Sequence, residues 1–179
     1  MTLTPKQLGS VLEILRLKTI PREGWKRHPI PGKDVESVAD HSYGVALLCC
    51  LLAPENLDKS RVLELAILHD LPEVVTGDVT PADGISSEQK NSDELKAMKS
   101  LTQGLGASEH WQKVLEDYQK QGSAEARWVK KMDKLEMTLQ SLVYESEHPV
   151  DLREFRESAS SQLKELGCDW LIDDEGPLR

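Results

Sequence analysis

The chain has 179 residues, with 22 Lys+Arg against 31 Asp+Glu and a formal net charge of -9. That length fits one domain, and 39% hydrophobic residues are enough for a packed core, which argues against global disorder. The negative field repels phosphate backbones and anionic membranes, so neither a nucleic-acid polymer nor a membrane is an expected partner, and an anionic substrate must meet local cations or a metal.

Thr4-Pro5 is a helix start, and Leu8, Val11, Leu12 and Leu15 follow at helical spacing, which predicts a helix over about 5–18. The stretch from Pro21 to Gly32 holds Pro21, Gly24, Pro29, Pro31 and Gly32. It reads as a non-helical loop that carries Arg22, Trp25, Lys26, Arg27 and His28. A second helix is expected over about 37–53. It contains the apolar run Val45–Ala53, which is far shorter than the roughly 18 residues of a membrane helix. Cys49 and Cys50 lie in that run and read as small core residues; with three cysteines in all, a reducing cytoplasm is expected. The first twenty residues mix charge throughout and lack a signal-peptide pattern.

Asp58 is a candidate N-cap for a third helix that runs through His69-Asp70 to a kink at Pro72. Turn residues Thr76-Gly77-Asp78 follow. Ser86-x-x-Gln89 reads as a capping box for a helix to about Leu105, and a further helical segment covers about Trp111–Gln119. Ser123 can cap a long helix to about Glu147, with Trp128, Met132, Leu135, Leu139 and Leu142 at the 3.6-residue period. Asp151-x-x-Glu154 opens a last helix before an acidic tail. No strand-like alternation occurs. The expected architecture is all-α, a compact single-domain helical bundle over residues 1–179.

The chemistry-bearing residues stand out against these helices. His69-Asp70 ends the apolar run Leu65–Leu68. A histidine at a helix C-terminus has an ordinary explanation in the helix dipole, so the doublet alone decides nothing. His41 precedes the apolar face of the second helix, and Asp133 lies beside the buried stripe of the long helix, where a carboxylate is costly unless paired or metal-bound. Three helices thus offer nitrogen or carboxylate ligands that a bundle can bring to one point. Two imidazoles and two carboxylates suit one divalent transition ion, Mn²⁺, Fe²⁺, Co²⁺ or Zn²⁺, better than Ca²⁺. His28, His110 and His148 read as surface histidines.

The set His41, His69-Asp70, Asp133 resembles the H…HD…D signature of the HD-domain metal-dependent phosphohydrolases. The surrounding text sharpens the resemblance: Pro21-Arg22-Glu23-Gly24-Trp25, Glu36-Ser37-Val38-Ala39-Asp40-His41-Ser42, His69-Asp70-Leu71-Pro72-Glu73, Thr76-Gly77-Asp78 and Pro81-Ala82-Asp83. Over about residues 8–147 this is similar to the 5′-deoxynucleotidase branch, in bacterial members and eukaryotic HD-domain relatives. The resemblance implies hydrolysis of deoxyribonucleoside 5′-monophosphates through a metal-activated water, with His41, His69, Asp70 and Asp133 on the metal and Asp70 and Glu73 in the catalytic set. Glu73 would orient the water or protonate the departing 5′-oxygen. Arg22 would bind phosphate, Trp25 would line the sugar site against a ribose 2′-hydroxyl, and Asp78 would contact the 3′-hydroxyl. Glu23-Gly24 separates Arg22 from Trp25, unlike the adjacent pair of bacterial members, so Lys26 or Arg27 is open to sharing the phosphate role. A small nucleotide substrate and a homodimer are implied as partners. Two alternatives stay open: an HD phosphohydrolase for a dNTP, a cyclic nucleotide or guanosine tetraphosphate, and a catalytically silent helical interaction module.

Overall fold

In the computed structural model, which describes residues 3–173, Ser37, Asp58, Ser86 and Ser123 each cap a helix with a side-chain oxygen, because that oxygen satisfies amide groups the first turn leaves unbonded. In chain order the helices are α1 (Pro5–Leu15), α2 (Glu23–Lys26), α3 (Val38–Leu52), α4 (Lys59–Leu68), α5 (Glu73–Thr76), α6 (Ser87–Thr102), α7 (Ser108–Lys120), α8 (Ala124–Glu147), α9 (Arg153–Ser158) and α10 (Ser160–Glu165). Short 3₁₀ turns cover Arg16–Thr19, Pro81–Asp83 and Asp169–Ile172. Among the described residues there is no strand beyond an isolated bridge between Pro21 and Ser37. No helix there is long and apolar enough to cross a membrane.

Several expected boundaries change, each for a local reason. The first helix tightens to 3₁₀ geometry at Arg16. The breaker-rich loop contains one helical turn, α2, which fits between Pro21 and Pro29 because Glu23 to Lys26 carries no proline. Helix α6 stops at Thr102, short of Leu105, and Gln89 pairs with Asp93 rather than closing the capping box. The last helix divides at Ala159 into α9 and α10, and Leu152 rather than Asp151 occupies the N-cap. Cys49 is buried but Cys50 is exposed, because the helix turns its neighbour out of the core. Residues 174–179 of the expected acidic tail lie outside the described residues.

The core lies where α3, α4 and α8 meet, through Val38, Val45, Leu65, Ala66, Val129 and Met132, all 0% exposed. Each large apolar side chain buried this way stabilises the fold by about 1.5–3 kcal/mol before conformational entropy is charged against it. The pair α6 and α7 closes one flank with Met98 and Leu115, and α10 packs Leu163 against α8. The extended segment before α2 is pinned to the start of α3 by Val38 N–H on the Ile20 carbonyl and Arg22 N–H on the Glu36 carbonyl, at 2.8 and 3.0 Å. That clamp places Arg22 beside the N-terminal turn of α3 and the end of α4.

Candidate metal centre

His41 leaves the first turn of α3, His69 and Asp70 follow the last turn of α4, and Asp133 sits midway along α8. Ligand atoms of His41, His69 and Asp70 all lie within 4.8 Å of one another. Asp133 Oδ1 is 3.3 Å from His41 Nε2, Asp70 Oδ2 is 3.2 Å from His69 Nε2, and His41 Nε2 is 3.7 Å from Asp70 Oδ2. Donors bound at about 2.0–2.2 Å to one ion stand about 3–3.5 Å apart, so the His41, His69 and Asp70 group fits a shared divalent cation, while Asp133 meets that group through His41 alone.

The hydrogen bonds of both imidazoles fall on Nδ1. His69 Nδ1 is 2.8 Å from the Ala66 carbonyl; a carbonyl only accepts, so Nδ1 carries the proton and Nε2 keeps its lone pair. His41 Nδ1 stands 2.5 Å from Glu136 Oε2 and is oriented in the same way. Both Nε2 atoms are buried without a hydrogen-bond partner, an expensive arrangement that a cation between them relieves. Asp133 Oδ2 accepts from Tyr118 Oη at 2.9 Å and from Lys130 Nζ at 2.8 Å, which leaves Oδ1 turned toward His41.

The electrostatics agree with this geometry. Burial disfavours a charged His41 and the Arg22 cation adds to that, yet Asp133 and Glu136 outweigh both and raise its pKa to about 10. Burial alone would raise the Asp133 pKa, but Lys130, His41 and His69 hold it well below the usual carboxylate range. Asp70 behaves alike, with burial opposed by His69, Arg22 and His41. The cage therefore stabilises positive charge at its centre, as a proton on His41 or as a metal ion.

Arg22 reaches this centre from the clamp. Its Nη1 is 3.4 Å from Asp70 Oδ2, 3.2 Å from Asp78 Oδ1 and 4.0 Å from Glu73 Oε2. Glu73 does not continue α4: Pro72 lacks an N–H, the chain turns tightly there, and Glu73 opens α5. Its carboxyl is nevertheless 1% exposed. Burial above all, with Asp70 and Asp78, raises its pKa well above the carboxylate norm, against Lys90 and Arg22. Asp78 is buried, and its Oδ2 accepts from Glu23 N–H at 2.8 Å, so it locks the Arg22 loop in place.

Other expected residues lie apart from this cluster. Trp25 is 2% exposed, packs on Phe155 and Tyr144, and donates its indole N–H to Glu36 at 2.7 Å. Lys26 pairs with Glu23, and Arg27 with Asp83 at 2.7 Å. His110 is exposed as expected, whereas His28 and His148 are half-buried because Phe155 and Tyr144 pack beside them. The sequence reading had missed Glu136, Lys130, Tyr118 and Lys90. The first two carry a usable signal, since they stand three residues on either side of Asp133 and share its face of α8.

The chain matches the family model for the HD domain over residues 14–168. It is 38% identical over 162 residues to a curated 5′-deoxynucleotidase of Homo sapiens, covering 86% of this chain and 78% of that relative. One from Schizosaccharomyces pombe is 36% identical over 166 residues, 88% of this chain and 83% of the relative. A conserved hypothetical protein of Pyrococcus furiosus superposes with a TM-score of 0.75 at 33% identity, over 92% of this chain and 98% of that one. A protein of Magnetospirillum magnetotacticum described as a predicted metal-dependent phosphohydrolase superposes with a TM-score of 0.72 at 26% identity, over 94% and 92% of the two chains. The fold, the converging ligands and these likenesses lead to one assignment: the chain belongs to the HD-domain family.

Proposed function

We infer that this protein is a metal-dependent phosphomonoesterase that hydrolyses deoxyribonucleoside 5′-monophosphates to deoxynucleoside and phosphate. The observation that carries the reading is the pair of buried, unpartnered imidazole nitrogens facing two carboxylates, in a chain that is 38% identical to a curated 5′-deoxynucleotidase. His41, His69, Asp70 and Asp133 would hold one divalent ion, with Mn²⁺, Co²⁺, Fe²⁺ and Zn²⁺ all compatible with the mixed nitrogen and oxygen donors. Such an ion supplies Lewis acidity at the phosphoryl group and a hydroxide-like nucleophile near neutral pH.

The chain's own residues do the rest. Arg22 offers a planar guanidinium for bidentate contact with phosphate oxygens, and an incoming phosphate would share it with Asp70 and Asp78. As water oxygen bonds to phosphorus and the P–O5′ bond breaks, the leaving oxygen needs a proton. Glu73, whose pKa burial raises well above the carboxylate norm, would give it. Asp78 is held by Glu23 N–H and Arg22, and a carboxylate retains further acceptor capacity for a sugar hydroxyl. Trp25 would line the sugar site against a ribose 2′-hydroxyl in this reading, supported by its indole N–H on Glu36, whose carboxylate neighbours His41 and Glu136.

A cytoplasmic location belongs with this reading and is supported by three unpaired cysteines. So does a homodimer, supported by Tyr43, Leu47 and Leu51, which form an exposed apolar stripe one and two turns apart on α3. The test is Asp70→Ala, which removes an oxygen donor but no core packing. It is expected to lose bound metal and phosphate release from dAMP while circular dichroism stays that of the parent. Full metal content in the variant would overturn the ligand assignment.

A further inference from the structure

The two carboxylate oxygens of Glu73 meet different surroundings. Oε2 is buried without a hydrogen-bond partner and faces Arg22. Oε1 accepts from Lys90 Nζ of α6 at 3.3 Å. The same ammonium donates to the Val79 carbonyl at 3.0 Å, one residue beyond Asp78, and stands 3.5 Å from Glu94 Oε1. Glu94 Oε2 in turn accepts from Gln119 Nε2 of α7 at 2.9 Å. One cation thus ties the Glu73 carboxyl and the Asp78–Val79 segment to the packed pair α6 and α7.

We propose that Lys90 is a positioning residue for phosphomonoester hydrolysis, holding Glu73 Oε1 and the Asp78–Val79 segment together so that Glu73 Oε2 is turned toward the phosphate and Asp78 toward the sugar. The inference rests on the deoxynucleotidase reading above. An exposed lysine pair would do little, because two solvated side chains wander. Here the partner carboxyl is 1% exposed, so its direction is set by the donor that reaches it. The segment it holds also follows Gly77, which at φ +73° is a natural pivot. Without the ammonium, both Glu73 and the Gly77–Val79 backbone gain freedom at the reacting centre, where small misplacements are costly.

The charged groups facing Glu73 are Arg22 from the clamp, Asp70 from the end of α4, Asp78 from the turn after α5 and Lys90 from α6. Of these the two cations favour the carboxylate and the two carboxylates oppose it. Removal of Lys90 leaves Glu73 Oε1 without the donor that holds it and frees the carboxyl to turn between the remaining Arg22 and its carboxylate neighbours.

The experiment compares wild type, Lys90→Gln and Lys90→Arg, each metal-loaded, in dAMP hydrolysis and in ¹³C NMR relaxation of the Glu73 side chain, with Glu73 assigned by its absence in Glu73→Gln. Lys90→Gln is expected to lower kcat about ten- to a hundredfold, to change KM less than kcat, to keep its metal, and to raise the mobility of the Glu73 side chain. Lys90→Arg should recover most of kcat and restore the order of Glu73. Lys90→Met, which keeps the apolar stem, replaces the glutamine variant if that variant does not fold. An unchanged kcat or an equally ordered Glu73 in the variant would overturn the proposal. If wild type itself releases no phosphate from dAMP while Glu73 still becomes more mobile in Lys90→Gln, the substrate assignment fails and the hold of Lys90 on Glu73 stands.

Discussion

Gly44 shows how a residue without chemistry shapes the centre. It lies three residues after His41, and a Cβ there would come within 2.6 Å of Glu136 Oε1, so only glycine leaves Glu136 room to reach His41. Gly44→Ala and Glu136→Gln are therefore expected to weaken metal binding in the same direction, by about 10–100-fold, while thermal unfolding of the metal-free proteins changes much less. Calorimetric metal titration measures this, and parental affinity in both variants would contradict it. Glu36 makes a second prediction. Burial first, then the neighbouring Glu136 charge, raise its pKa to about 7, against His41, Trp25 and Arg22. A carboxyl whose folded pKa is raised binds more protons folded than unfolded, so its contribution to stability falls as pH rises from about 4.5 to about 7. Glu36→Gln keeps an acceptor for the Trp25 indole and removes that loss. In metal-free protein its stability relative to wild type should rise across this window in urea titrations, and a pH-independent difference would contradict the assignment. His41, His69-Asp70 and Asp133 were legible in the sequence because ligand-type residues interrupt apolar helix faces. Lys90 and Tyr118 were not, since Glu73 and Asp133, which they hold, lie 17 and 15 residues away and only folding brings them close.

At the level of elements, caps and apolar period located α3, α4, α6, α7 and α8 to within a few residues. Each has its N-cap oxygen or stripe written locally, and Asp58 is the clearest case. Its Oδ1 accepts from Ser60 and Arg61 amides at 2.9 and 3.2 Å, at the start of the helix whose other end delivers His69 and Asp70. Asp58→Ala is expected to cost about 1 kcal/mol in unfolding free energy with dAMP turnover per folded molecule intact. A loss of turnover in fully folded variant would mean that the α4 N-terminus matters to the site in a way the packing does not explain. The misses were α2 and the division between α9 and α10. Helices of four to six residues carry too few apolar positions for a period, and they form because Trp25, Leu152 and Leu163 are buried in the core, a tertiary effect with no local signature.

Across the whole molecule, a chain with a net charge of -9 gathers Asp70, Glu73, Asp78 and Asp133 at one centre, where the cations Arg22, Lys90 and Lys130 are each already paired with one of these carboxylates. Such a centre repels a phosphate dianion until positive charge is added, so the activity is expected to require metal outright and not merely to be enhanced by it. The direct measurement is phosphate release from dAMP and AMP by metal-stripped protein, before and after separate resupply of Mn²⁺, Co²⁺, Zn²⁺ and Mg²⁺. The expected result is no release from the stripped protein and restored release with at least one transition ion, faster from dAMP than from AMP. Release from neither nucleotide with any of the metals, in protein that has bound one, would contradict the assignment of this centre to deoxynucleotide hydrolysis.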